Sequence, residues 1–171
     1  MEIAVRRAAV EDIPLLVQMG KATFRETWEF MYDADLLNRY IDSVNTRETI
    51  SAEISDPAFT HFLAFADEEA AGFAKLGRRQ ELGDWITGKC MELCRVYVYR
   101  KFHDLKIGKV LMQKCIELAH GEGFESLVLG VWENNHRAVK FYQRFGFEKI
   151  GEHPFHIMER VDTDWVMLKK L

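Results

Sequence analysis

The run Leu93-Cys94-Arg95-Val96-Tyr97-Val98-Tyr99, followed at once by Arg100-Lys101-Phe102-His103-Asp104-Leu105-Lys106-Ile107-Gly108-Lys109, constrains this chain more than any other stretch. In its first part Val96 and Val98 alternate with Arg95, Tyr97 and Tyr99, the pattern and residue types of a strand, placed over residues 89–99. Beyond it, Ile107, Leu111, Cys115 and Leu118, flanked by Met112, Ile116 and Ala119, recur at the helical period. Gly121-Glu122-Gly123 ends that helix, because glycine accepts the left-handed cap. The turn between strand and helix therefore presents unpaired backbone N–H groups at a helix start, where oriented donors and the helix dipole attract anions. Arg100, Lys101, Lys106 and Lys109 against Asp104 alone give residues 99–109 a charge of +3 (four minus one), in a chain whose formal net charge is −4. The ligand implied is a phosphate or pyrophosphate, and the plainer alternative is a solvated basic loop.

With 171 residues, 48% of them hydrophobic and 29% charged, the chain can bury a core, and it reads as a single domain over 1–171. No apolar run is long enough for a membrane span, and Met1-Glu2-Ile3-Ala4-Val5 lacks a signal peptide's apolar stretch. The three cysteines, Cys90, Cys94 and Cys115, show neither zinc nor redox spacing; reduced thiols and a cytoplasmic location are expected. His103, His153 and His156 have no ligand-spaced acidic or cysteine partners, so no metal is expected. A net charge of −4 argues against nucleic acid as a partner.

Taken in order, residues 2–7 alternate as a first strand. Ile13, Leu16, Val17, Met19 and Gly20 open a helix whose pattern continues through Phe24, Thr27, Trp28 and Met31, with Pro14 tolerated in its first turn. Asp33 is placed to cap a second helix through Leu36, Leu37, Tyr40 and Ile41, and Thr46 to start a third that stops before Pro57. Phe62–Ala66 and Ala71–Leu76 form a hairpin, and 77–88 is a loop. After the central strand and helix come a buried strand at Leu127–Trp132, a helix over 135–145 with Ala138, Val139, Phe141, Tyr142 and Phe145 inward, and short strands at 147–152 and 164–170. This order predicts an α/β fold, a mixed sheet with helices on both faces. A dinucleotide-binding fold is excluded, because no Gly-x-Gly-x-x-Gly follows an early strand.

Asn135-x-x-Ala138-x-x-Phe141-Tyr142-x-x-x-Gly146-Phe147, together with His103-x-x-Lys106-x-Gly108 in the basic turn, resembles the GCN5-related N-acetyltransferases. The second motif of that family is matched at every position. In the first, Gln/Arg-x-x-Gly-x-Gly/Ala, Gly108 matches and His103 and Lys106 depart. With lysine in place of glycine, an ordinary backbone conformation is expected at Lys106. The resemblance implies a largely antiparallel sheet of about seven strands whose central strands splay apart to admit acetyl-CoA. It also implies an activity, transfer of the acetyl group to an amine. Such an amine must first lose a proton, since only about one in a thousand alkylamines is neutral near pH 7.

The roles carried over by this resemblance fall on named positions. Tyr142 would be the general acid at the departing sulfur. The main chain of Val96, Tyr97 and Val98 would pair with the pantetheine arm and supply an oxyanion donor. The amides of His103, Asp104, Leu105, Lys106, Ile107, Gly108 and Lys109 would hold the pyrophosphate. Asn135 would bond the pantetheine or cap its own helix, with Ala138 beside it. Where relatives often carry a glutamate, this chain has Cys94; Glu92, two residues earlier, would serve as base, with Glu26 and Glu29 as other candidates. Within the family, Leu129-Gly130-Val131-Trp132-Glu133 and Thr23–Trp28 are most similar to small bacterial spermidine/spermine N-acetyltransferases. Glu26, Glu29, Asp33 and Asp35 would then face a polycation, or they are simply a solvated surface. Partners on this reading are a small-molecule amine and, as an open option, a second copy in a homodimer, with neither nucleic acid nor membrane. The alternatives are acetylation of an amino acid, an aminoglycoside or a protein N-terminus, and a non-catalytic acetyl-CoA-binding module.

Overall fold

A computed structural model describes Met1–Leu171. The chain runs β1 (Ile3–Arg7), α1 (Ile13–Trp28), α2 (Ala34–Val44), α3 (Arg47–Ser55), β2 (Phe59–Ala66), β3 (Glu69–Gly77), β4 (Cys90–Val98), α4 (Ile107–Gly121), β5 (Ser126–Trp132), α5 (His136–Arg144), β6 (Glu148–Ile157) and β7 (Arg160–Lys170), with tight 3-10 turns at Val10–Asp12 and Arg100–Leu105. The strands form one seven-stranded sheet in the order β1-β2-β3-β4-β5-β7-β6. β4 and β5 are parallel, while β1–β2, β5–β7 and β6–β7 are antiparallel, so the sheet is mixed as expected.

Local chemistry sets several boundaries. The Asp33 carboxylate accepts the Leu36 N–H at 3.0 Å, and the Thr46 hydroxyl accepts the Thr49 N–H at 3.1 Å, so both expected caps form. α1 ends at Trp28 and does not reach Met31. Asp33 must be extended to cap α2 (φ −65°, ψ 156°), so the chain leaves the helix first, with Met31 and Tyr32 turning their amides back onto Trp28 O.

Two compact units divide the chain, residues 1–76 with 95–114, and residues 77–94 with 115–171. In the first, Ile13, Leu16 and Met19 of α1 and Ile50 of α3 pack on Leu63 of β2 and Phe73 of β3, with Tyr97 of β4 joining them. α4 lies on the opposite face. A Cβ on Gly72, the residue beside Phe73, would approach Leu111 Cδ1 at 3.3 Å and Tyr97 O at 2.7 Å, and successive strand residues point to opposite faces. Beyond the apolar layer, Glu53 of α3 accepts hydrogen bonds from Lys75 Nζ at 2.5 Å and His61 Nε2 at 3.2 Å.

In the second unit, β4 and β5 pair at Cys90–Ser126, Met91–Leu127 and Glu92–Val128. Leu82 and Ile86 of the 78–89 loop cover Cys90, Val128 and Val166. The Glu92 carboxylate accepts the Glu81 N–H at 2.8 Å and so pins this loop. The last two strands are longer than expected and form a hairpin from Glu148–Leu168 to Ile157–Arg160. From 151 to 157 half-buried and exposed residues alternate, but only Phe155 and Ile157 on the inner side are strongly apolar and Pro154 lies within the run, so the sequence announces the strand weakly. α5 buries less than its pattern suggests: only Val139 is fully buried, while Ala138, Phe141, Tyr142 and Phe145 are half-buried. Their rings pack on one another, Phe141 against Tyr142 at 5.5 Å and against Phe145 at 5.2 Å.

Candidate active site

The basic turn is built as a helix start. Tyr99 N–H donates to Ala71 O of β3 at 2.9 Å. The alternation of a strand then points the main-chain groups of Val98 and Val96 away from β3. His103 donates from Nε2 to Val98 O at 3.0 Å, folding the turn back on the end of β4. Lys106, the residue before α4, has φ 62° and ψ 12°. The ordinary backbone expected there is therefore wrong: a lysine holds the left-handed conformation that glycine takes freely, at a penalty of about 1–2 kcal/mol. Val110 N–H bonds to Lys106 O at 3.1 Å, and the amides of Ile107, Gly108 and Lys109 before it find no acceptor in the chain.

The positive charge of this turn is partly used. Glu26 Oε2 accepts the Arg100 N–H at 2.7 Å, the Arg100 guanidinium also donates to Glu26 O, and it reaches Glu29 Oε1 at 3.1 Å. Lys101 pairs with Glu69. Lys106 and Lys109 make no ion pair, so they and the three amides are what an anion would meet. The acidic cluster is likewise engaged: Glu26 and Glu29 by Arg100, Asp33 as the α2 cap, and Asp35 by Arg39 at 2.9 Å.

In the second unit, Asn135 Oδ1 accepts the Ala138 N–H at 3.2 Å, so capping is the role its oxygen performs. Tyr142 lies half-buried on α5 with its ring edge-on to Phe147, 5.8 Å between centroids. Asp164 of β7 carries no local sequence signal of its own. Burial, with the neighbouring charge of Asp162 adding to it, pushes the Asp164 carboxyl up to about 6. A Cβ on Gly130 of β5 would lie 3.2 Å from Asp164 Oδ2 and 3.3 Å from Leu82 Cδ2, so the missing side chain makes room for this carboxyl. A glycine inside an apolar strand is the signal that pointed here. No group of three or more His, Cys, Asp or Glu is placed to hold a metal, and no helix is long and apolar enough to cross a membrane.

A seven-stranded mixed sheet with an anion-ready turn between β4 and α4 defines an acyltransferase-like architecture. The Acetyltransferase (GNAT) family model matches residues 21–147; the chain belongs to that family and is an N-acetyltransferase. It is similar to the spermidine N(1)-acetyltransferase of Thermoplasma acidophilum, 24% identical over 174 residues that cover 99% of this chain and 98% of that protein. The spermine/spermidine N(1)-acetyltransferase of Bacillus subtilis is 28% identical over 108 residues, covering 63% and 67%. The fold matches the crystal structure of the PaiA N-acetyltransferase from Thermoplasma acidophilum in complex with coenzyme A, with a TM-score of 0.82 at 24% identity over the whole of both chains.

Proposed function

We propose that residues 1–171 act as one catalytic domain that moves an acetyl group from acetyl-CoA to a primary amine of a small molecule, polyamines first. The observation that carries this reading is the turn before α4, where three acceptorless amides meet two lysines without counter-ions and Lys106 keeps a glycine-type conformation. The amides of Ile107, Gly108 and Lys109 would take the diphosphate, with Lys106 and Lys109 adding charge. Val96 and Val98 would pair with the pantetheine arm as an added strand does, and an N–H of the same segment would face the thioester oxygen as charge develops. Bound acetyl-CoA supplies the thioester. Tyr142 would give its proton to the departing sulfur, a phenol being a donor with a pKa near 10.

The polyamine preference is supported by the likeness to spermidine and spermine acetyltransferases. The carboxylates around the end of α1 lend it less support than their number suggests, because Arg100 already engages Glu26 and Glu29. A thiol-release assay with acetyl-CoA and spermidine tests the reading. Turnover is expected, with Tyr142→Phe reducing it by on the order of a hundredfold. Coenzyme A binding without turnover on any amine would favour a non-catalytic module, and turnover surviving Tyr142→Phe would remove the tyrosine's role.

A further inference from the structure

Each carboxylate first considered for the amine has another task. Arg100 holds Glu26 and Glu29, Asp33 caps α2, Asp35 pairs with Arg39, and Glu92 anchors Glu81. Asp164 differs. It is half-buried, yet it makes no hydrogen bond and no ion pair within the chain. Even a half-buried carboxylate without a partner is unfavourable, and its neighbour Asp162 is another acid, itself paired with Arg160 at 3.3 Å.

The place of Asp164 in the sheet is equally specific. The β4–β5 ladder ends at Glu92–Val128, and Gly130 is the next residue of β5 on that face. Asp164 fills the gap Gly130 leaves. Its direct cross-strand neighbours are Trp132 on β5 and His153 on β6, which share its face. An aromatic ring beside a lone carboxylate suits an ammonium ion.

We propose that Asp164 is the residue that receives the acceptor amine, holding its ammonium group and taking its proton. This rests on the acetyltransferase reading above. An N–H bond of the ammonium breaks as an O–H bond forms on Asp164, which passes the proton to solvent. The freed nitrogen lone pair forms the C–N bond to the thioester carbon and the C–S bond breaks. The second proton leaves the nitrogen and restores the one that Tyr142 gives to sulfur, so the products are an amide, a thiol and one released proton. A carboxyl held up to about 6 is ionised at neutral pH and is a stronger base than an ordinary aspartate.

The test compares native protein, Asp164→Asn and His153→Gln with acetyl-CoA and spermidine from pH 5 to 9, alongside calorimetric binding of spermidine to each coenzyme A complex. Asp164→Asn should lower kcat/KM by on the order of a hundredfold or more and weaken spermidine binding by on the order of thirtyfold or more, with coenzyme A affinity unchanged. It should erase the acid limb of the native profile, which His153→Gln should retain. It should also raise the melting temperature at pH 8, a gain that a merely structural carboxylate would not give. Near-native turnover and binding in Asp164→Asn overturns the proposal and leaves the enzyme reading intact. If native protein acetylates no amine, the enzyme reading falls by itself; spermidine binding that Asp164→Asn abolishes then supports the amine site, whereas unchanged or absent binding overturns it too.

Discussion

Glu53 in the first unit and Asp164 in the second are both half-buried carboxyls, and their environments pull them in opposite directions. Burial alone would raise Glu53, but hydrogen bonds from His61 and Lys75, with the charges of Lys75 and Arg95, bring it down to about 2. Asp164 has no such partners; burial and the charge of Asp162 push it up to about 6. Burial therefore does not decide the state of a buried acid; the partner does. Glu53 is complete within the chain and ties α3 to β2 and β3. Asp164 is complete only when a cation arrives, the expected mark of a group kept for a ligand at the expense of stability.

The largest effect separating the two is on stability. Glu53→Gln leaves Lys75 buried, with a side chain only 11% exposed, without its anion, and is expected to destabilise the fold by about 3 kcal/mol in urea unfolding at pH 7. Because the folded pKa of Glu53 lies below the usual range, this stabilisation is present above about 4.5 and is lost as pH falls towards 2; a native protein whose stability is flat over that window would break the comparison. Next, Tyr142→Phe should lower kcat by on the order of a hundredfold while its coenzyme A Kd stays native, which confines the defect to the second unit.

Asp164→Asn should act opposite to Glu53→Gln and stabilise the fold by about 2 kcal/mol at pH 8, discounted for partial exposure. The sign follows from a raised folded pKa. Between the ordinary aspartate range and about 6 the folded carboxyl keeps a proton that the unfolded one has lost. Stability therefore falls as pH rises through that window, and the gain on substitution should shrink below pH 6. The smallest effect is at the turn: Lys106→Gly relieves the left-handed backbone, for a gain of about 1 kcal/mol, and should weaken coenzyme A binding several-fold. Tighter binding would show that the lysine's charge does not face the anion.

Contiguity separates what could be read from the sequence from what could not. The strand, basic turn and helix from Leu93 to Gly121 lie in one run, so periodicity and charge predicted them directly, and the Asp33 and Thr46 caps were equally local. Partners distant in sequence were invisible. Glu26 and Glu29 looked like a cation-binding pair because nothing in their own stretch of chain announces Arg100, 74 and 71 residues away. The last hairpin was read too short because few of its alternating inner positions are apolar and Pro154 interrupts them, and Asp164 emerges only once the registers of β5 and β6 with β7 set Gly130, Trp132 and His153 around it. The left-handed Lys106 was missed for another reason. Residue type gives a preference for backbone conformation, and the surrounding turn overrode it.

The most direct test of the whole account is a crystal structure of this chain with coenzyme A. The diphosphate is expected on the amides of Ile107, Gly108 and Lys109, the pantetheine arm along Val96 and Val98, and the sulfur within hydrogen-bonding reach of the Tyr142 hydroxyl. A diphosphate bound elsewhere, or a sulfur remote from Tyr142, would contradict it.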